Sequence, residues 1–506
     1  MSAATHDIAV SAPRAGTRWP SWWPLLALTL LAAAIRLSTL DLQSFWYDEA
    51  FTPVHVLHPS LWATLRSVVH SENTPPLWYV LAWADYRVLG SGEVALRLPS
   101  ALAGIATVPI AWAIGCELET SARRVAIGCA AFVAINPLFV WYSQEARAYG
   151  LFVFMAALTM LCFLRVRRKP TVARMASFAV AGALALLTHY FAVFLLIGMV
   201  PALLWDRATR RLALPAAAAV GILGVALLPL ISAQGGHGTQ WIGSWPLRER
   251  LEAIPQYYLT GYSGAPLGHV VELLVALPIL AGLAFGLWRL RGAGRASSLP
   301  VRKGALLTLA ILACGVLIPV LLVAFGADYL APRNLVAAMI PLTALVALLV
   351  LWPGTGRVGI ALAVVIALAF LIISVDVDLS PRLQRGNWRG VAKALRGPPR
   401  GRAITTVELG SLPLEYFLPE LHGLGEGSDV TVSEIDETGY APLVPSAGEP
   451  PAPGFHLRAR LDIDGLIVYR FVSSVPRRVS EAALRRHVIT RASPAVLVVS
   501  GSRVSR

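Results

Sequence analysis

Asp48 and Glu49 are adjacent carboxylates in the run Ser44-Phe45-Trp46-Tyr47-Asp48-Glu49-Ala50-Phe51, just past the first long apolar segment of the chain. An acidic pair at that depth sits at a membrane–water boundary, where a charge needs a partner or a use. On the outer boundary a carboxylate reaches a lipid-linked substrate and activates a hydroxyl by taking its proton. Which side the pair occupies, and what stands near it, depends on the elements that carry it.

The chain has 506 residues, of which 56% are hydrophobic and 14% charged. About a quarter of a soluble globular chain is charged. Repeated apolar runs of roughly 18 to 22 residues identify a polytopic helical membrane protein. The formal net charge of +14 does not describe a nucleic-acid groove, because the Lys and Arg fall in short loops between apolar runs. Cys116, Cys129, Cys162 and Cys314 lie in or beside apolar helices without metal-ligand spacing, as buried apolar residues do. The N-terminus lacks a cleavable-signal pattern, so residues 21–39 are expected to remain as an anchor.

Runs long enough to span occur near 21–39, 96–116, 124–141, 148–165, 173–188, 190–205, 212–232, 267–289, 304–326, 333–352 and 357–375. With these spans, Arg14 and Arg18, Arg123 and Arg124, Arg165 to Lys169, Arg207 to Arg211, and Arg289 to Lys303 fall on one side. By the positive-inside rule that side is the cytoplasm. Segment 75–89 decides the count. At about 15 residues it is roughly 22 Å as a helix, against about 30 Å of hydrocarbon. It also carries Asp85, Arg87 and four aromatic residues, so it is expected to lie in the outer interface, as is segment 59–70. Counting it as a span would put every later basic cluster outside. The expected fold class is an α-helical polytopic membrane protein with about 11 spans and interfacial helices. Its parts are a cytoplasmic tail (1–20), a membrane domain (21–375) and an extracytoplasmic α/β domain (376–506).

Three further outer segments carry charges at helix ends. They are Trp141 to Tyr149, the long loop 233–266 with its glycines, His237 and aromatics, and Gly326 to Asn334. Together they wall a cavity open to the outer leaflet. In the tail, 430–435, 465–471 and 495–499 read as strands, 412–418 and 480–487 as short helices, and 442–454 as a loop. Neither a Gly-rich phosphate loop nor a nucleophile elbow is present there.

The run Phe45–Ala50, then Asn73-Thr74-Pro75-Pro76-Leu77-Trp78-Tyr79, then Ala95-Leu96-Arg97-Leu98-Pro99-Ser100-Ala101-Leu102 resembles the bacterial members of glycosyltransferase family 39. These are the protein mannosyltransferases and lipid A aminoarabinose transferases of the GT-C superfamily. Asn136-Pro137 with Ser143-Gln144-Glu145-Ala146-Arg147-Ala148-Tyr149 extends the resemblance, which covers roughly residues 20–390. It implies a GT-C-like fold and transfer of a sugar, of mannose type among others, from a polyprenyl-phosphate carrier to a hydroxyl of a protein, lipid or glycan on the outer face. It implies Asp48 as general base or acceptor-positioning carboxylate, with Glu49 assisting it or the two holding a divalent metal. A phosphate leaving group needs cations, and Arg147 and Arg333 at outer helix ends are expected to supply them. Arg333 is followed here by Asn334, where relatives have Tyr. Glu72, Glu145, Tyr149, His189 and Asp328 complete the candidate substrate site.

Each of these residues also has a structural reading. Asp48 and Glu49 would pair with Arg36 or be solvated; Arg36 would otherwise snorkel. Glu145 and Arg147 would form loop ion pairs, Glu72 a solvated loop acid, His189 a helix-end hydrogen bond, and Asp328 a pair with Arg333. A transporter or flippase of lipid-linked sugars is the competing function. It would be expected to place paired polar groups or broken helices at mid-membrane, whereas here the mid-membrane stretches are almost purely Ala, Leu, Val and Ile. The implied partners are the lipid-linked donor, the hydroxyl acceptor and membrane lipids, with no nucleic acid. The donor sugar, the acceptor and any metal or other cofactor are not legible.

Overall fold

The structure is a computed structural model that describes residues 22–119, 123–237, 239–262, 268–396, 401–499 and 504–505. The expected N-terminal tail, with Arg14 and Arg18, and Gly238 of the glycine-rich loop lie outside the described residues.

Apolar runs fold as helices because lipid offers the backbone no hydrogen-bonding partner. Helix α1 (Trp23–Ser38) leads into a connection made of α2 (Tyr47–Val56), α3 (Leu61–Ser71) and α4 (Leu77–Leu89). The 13 residues of α4 reach only about 20 Å, too short to cross. Ser60 caps α3 by accepting the Ala63 N–H at 3.2 Å. The bundle continues through α5 (Glu93–Leu118), α6 (Arg123–Ile135), α7 (Pro137–Ser143), α8 (Tyr149–Arg168), α9 (Val172–Thr188), α10 (Ala192–Trp205), α11 (Arg210–Ala226) and α12 (Leu228–Gln234). Two short helices, α13 (Gln240–Ser244) and α14 (Leu247–Thr260), precede α15 (Gly268–Gly292) and α16 (Arg295–Ala324). A 3-10 turn (Pro332–Ala338) then opens α17 (Met339–Leu351), and α18 (Gly356–Leu379) closes the bundle.

Among the described residues, seven helices are long and apolar enough to cross a membrane, or eight if the bent pair α6–α7 is one span. Helices α1, α9 and α10 are apolar but have only 10–17 residues. The Arg clusters sit at the starts of α6 and α11 and the ends of α8 and α15.

The 54° bend between α6 and α7 follows from Pro137, which has no N–H to continue the ladder. Asn136 caps the new start, accepting the Leu138 N–H at 3.0 Å and donating to the Tyr258 carbonyl at 2.9 Å. The carbonyls freed at the break take Arg36, which donates to Ala134 at 2.7 Å and Val133 at 3.2 Å. Arg36 is fully buried, so it neither snorkels nor pairs with the acidic residues. Gly104 lets α5 approach α7 closely, since a Cβ there would run into Ser143.

The last bundle helix runs past Asp376 to Leu379, beyond the compositional shift. The tail then gives α19 (Trp388–Leu395), β1 (Arg402–Val407), α20 (Ser411–Phe417), β2 (Leu421–Gly423), β3 (Asp429–Tyr440), β4 (His456–Ile463), β5 (Leu466–Ser480), α21 (Glu481–Arg486), β6 (Pro494–Val499) and β7 (Val504–Ser505). The sheet order is β2-β6-β1-β3-β5-β4, with β7 on β3. Only β1 and β3 pair in parallel among the described strands. One sheet face buries Val430, Ile435 and Phe471 with Leu484 of α21. The other buries Ile404, Val468 and Leu497 with Trp388 and with Trp46 from the connection before α2. The tail is thereby packed onto the bundle. Tyr416 donates to the Ser91 carbonyl at 2.8 Å, and Ser44 donates to the Gly386 carbonyl at 3.0 Å.

Candidate active site

Trp46 is extended and Tyr47 begins α2, so Asp48 and Glu49 fall in the first helical turn, where the helix dipole favours acids. Consecutive helical residues point about 100° apart. The two carboxylates therefore separate: Asp48 lines a cavity, while Glu49 turns into the bundle.

The cavity has a volume of about 820 Å³. Its polar end holds Asp48, Glu72, Arg147, Tyr149, His189 and Arg333. Its apolar arm runs between α10, α11 and α16, past Ile197, Val200, Val220, Pro319 and Leu322. Ile197 and Val225 on this arm are exposed, so the arm is open and not packed shut. Leu409 of the tail also lines the cavity.

Arg333 donates to Asp48, 285 residues away in sequence, and its guanidinium lies over the Trp241 ring at 4.8 Å. Arg147 donates to Glu72 at 2.7 Å and to the Tyr79 hydroxyl at 3.0 Å. His55 completes this wall, with Nε2 at 3.5 Å from Glu72. Burial alone would raise the Glu72 carboxyl; Arg147, and then His55, beside it hold it far below the usual range instead. Burial opposes the Arg147 charge, and Glu72 more than restores it, so Arg147 stays cationic. Two acids and two arginines thus balance at the cavity's polar end.

Behind this end lies a sealed cluster. Arg97 grips Glu49 with two bonds of 2.6 Å, and the Ala146 N–H donates to Glu49 at 2.9 Å. Thr52 donates to the Ala146 carbonyl at 2.5 Å. This bolts α2 to the turn that carries Arg147. Arg385 stands 3.6 Å from Glu49 and lies over the Trp141 ring at 3.9 Å. Glu145 accepts the Trp46 indole N–H at 3.3 Å, and its Oε2 is buried without a protein partner. Burial pushes the Glu145 carboxyl up to about 7, with Arg385 pulling against it and Glu49 and Asp48 adding to it.

Asp48, Glu72, Arg147, Tyr149, His189 and Arg333 therefore share one cavity. Glu49, Glu145 and Asp328 do not line it. Glu49 does not assist Asp48 by contact, because Arg97 occupies both its oxygens. Asp328 pairs with Arg250 at 2.6 and 2.9 Å, not with Arg333. Asp48 and Glu49 diverge, so they do not chelate one ion together as a pair, and among the described residues no group of three His, Cys, Asp or Glu is placed to hold an ion. Sequence reasoning assigned no role to Arg97 or Arg385, and it read Trp241 only as one of the loop 233–266 aromatics, as a membrane anchor or a sugar platform, not as the ring beneath Arg333. Arg97 stands in a motif quoted for the resemblance and was the one detectable signal, as a buried cation near a span end.

Residues 73–232 match the family model described as Dolichyl-phosphate-mannose-protein mannosyltransferase. That segment contains Arg97, Glu145, Arg147, Tyr149 and His189 but not Asp48 or Arg333. No curated protein sequence matches the chain. Among solved structures, the chain is similar to ArnT from Cupriavidus metallidurans in the apo state, with a TM-score of 0.52 and 12% identity over 88% of this chain and 97% of that one. It is also similar to the same protein bound to undecaprenyl phosphate, with a TM-score of 0.49 and 12% identity over 89% and 98%. The likeness to the apo structure shows an ArnT-like helical fold with a C-terminal sheet domain.

Proposed function

We propose that this protein, a membrane glycosyltransferase of the GT-C superfamily, transfers a sugar from a polyprenyl-phosphate carrier to a hydroxyl at the outer membrane face. The observation that carries this reading is the single cavity. It joins a carboxylate and two arginines to an open apolar arm between helices α10, α11 and α16. A nucleotide sugar has no use for such an arm, whereas a lipid tail fills it. The family model's printed name, with its dolichyl-phosphate sugar, points to the same donor class.

In the resting site Arg333 holds Asp48. A donor phosphodiester arriving beside Arg333 and Arg147 competes for those cations. Arg333 turning toward the phosphate frees Asp48 to accept the proton of the attacking hydroxyl. As the sugar–phosphate bond breaks, negative charge grows on the phosphate, and the guanidiniums stabilise it. The proposed topology has eleven spans, with α1, α9 and α10 crossing, the basic ends in the cytoplasm, and the site and tail outside.

Two experiments test this. Purified enzyme in detergent, given a polyprenyl-phosphate sugar and no nucleotide, is expected to transfer; transfer from a nucleotide sugar alone would overturn the reading. In a Cys116→Ser background, cysteines replacing His70 and Arg248 are expected to react with an impermeant reagent in intact cells, and one replacing Arg168 is not. The reverse pattern would invert the topology.

A further inference from the structure

His189 closes α9, and its backbone N–H donates to Ala185 at 2.9 Å. Its ring is fixed from both sides. Nδ1 accepts the Phe191 backbone N–H at 3.3 Å, which leaves the ring proton on Nε2. The imidazole is stacked on Phe152, with centroids 4.6 Å apart and planes 9° from parallel, and Tyr149 flanks it at 6.0 Å. His189 lines the same cavity as Arg147 and Arg333. Burial, then the charges of those two arginines, lowers its pKa to about 3. The ring stays neutral at working pH and keeps one orientation and one tautomer.

We propose that His189 donates its Nε2–H to a non-bridging oxygen of the donor's phosphate, between Arg147 and Arg333. This rests on the donor reading above and gives the phosphate a third, uncharged ligand. A third cation there would be repelled by the first two. A neutral donor adds directional binding without that cost, and the bond strengthens as charge grows on the oxygen.

The test is binding of undecaprenyl phosphate to purified variants in detergent, with turnover measured alongside. His189→Phe keeps the stack on Phe152 and removes the donor. His189→Gln carries an amide N–H near the Nε2 position, whereas His189→Asn carries one near Nδ1. Phe and Asn are expected to weaken binding about tenfold, the usual scale for a bond to a charged group, with Gln recovering most of it. Packing as the residue's role predicts the opposite order, with Phe the best replacement. Wild-type affinity in His189→Phe, or equal affinity of the Gln and Asn variants, overturns the assignment. Failure of the wild type itself to bind undecaprenyl phosphate sinks the donor reading instead, and the assignment falls with it.

Discussion

Asp48 and Glu49 are neighbours in sequence, and each meets an arginine, yet the two ion pairs sit in different surroundings. The Asp48–Arg333 pair faces a cavity, with side chains 10% and 20% exposed. The Glu49–Arg97 pair is sealed, at 0% and 1%. A pair at a cavity surface can be exchanged for a ligand, because a phosphate replaces the lost partner. A sealed pair has no substitute partner, so it holds its elements in place. The same two residue types therefore give a switchable contact in one place and a bolt in the other.

The largest effect is expected where the bolt is broken. Glu49→Gln removes the carboxylate that Arg97 grips with two bonds and leaves that buried guanidinium without its ion-pair partner, a change that costs about 3–5 kcal/mol. Thermal unfolding in detergent should show a much lower midpoint. An unchanged midpoint with lost activity would put Glu49 among the groups that touch substrate and erase the contrast.

Asp48→Asn tests the other pair. The protein should melt near the wild-type temperature while turnover falls by roughly 100-fold or more, the scale for losing a general base. Near-normal turnover would rule out Asp48 as the base.

Arg333 sharpens the comparison further. Arg333→Ala should raise the donor KM by about tenfold, in line with losing a charge-assisted bond. Arg333→Lys restores the charge but not the planar fork or the fit over Trp241, so it should recover only part. Full recovery by Lys would reduce Arg333 to a point charge.

The bundle was legible because each span must be apolar for its full length, and the basic loops alternate with the spans. The short helix α4 was legible for the complementary reason, since 13 residues cannot cross. Of the tail's interior strands, β3, β5 and β6 announced themselves by β-branched runs, whereas β1, Arg402–Val407, went unread although it lies fully buried in the middle of the sheet. Strand β4, His456–Ile463, did not announce itself either. It is an edge strand whose outward positions carry Arg458 and Arg460, and charges on edges are a protection against pairing. In the site, residue types at span ends pointed to Asp48, Arg147 and Arg333. Partner choice was not legible. Asp328 stands close to Arg333 in sequence but pairs with Arg250, and Asp48 reaches Arg333 across 285 positions. Only the tertiary fold, which brings the first turn of α2 and the 3-10 turn to the same cavity wall, decides that. Arg385 lies where the composition changes toward the tail, so nothing in the sequence connects it to Glu49 or Trp141.

The smallest expected effect belongs to Glu145, which touches the sealed cluster but makes no ion pair of its own. Its carboxyl is raised from the model-compound value of 4.5 to about 7, so the folded protein holds this proton more tightly than the unfolded chain. Below about pH 4.5 both states are protonated, and the contribution to stability is fully present. It is lost as pH rises through the window up to about 7, because the folded state must then either keep a proton that the unfolded chain has released or bury a charge. Glu145→Gln imitates the protonated acid in size and keeps an acceptor for the Trp46 indole. Wild type and variant should therefore melt alike at about pH 4 and below. Above pH 7 the variant should be the more stable, its midpoint having lost one proton's worth of slope across the window. Parallel midpoint-versus-pH curves would mean that Glu145 is ionised throughout, held by Arg385. The cluster would then contain two carboxylates against two arginines, and the sealed region would be balanced by charge in the same way as the cavity it supports.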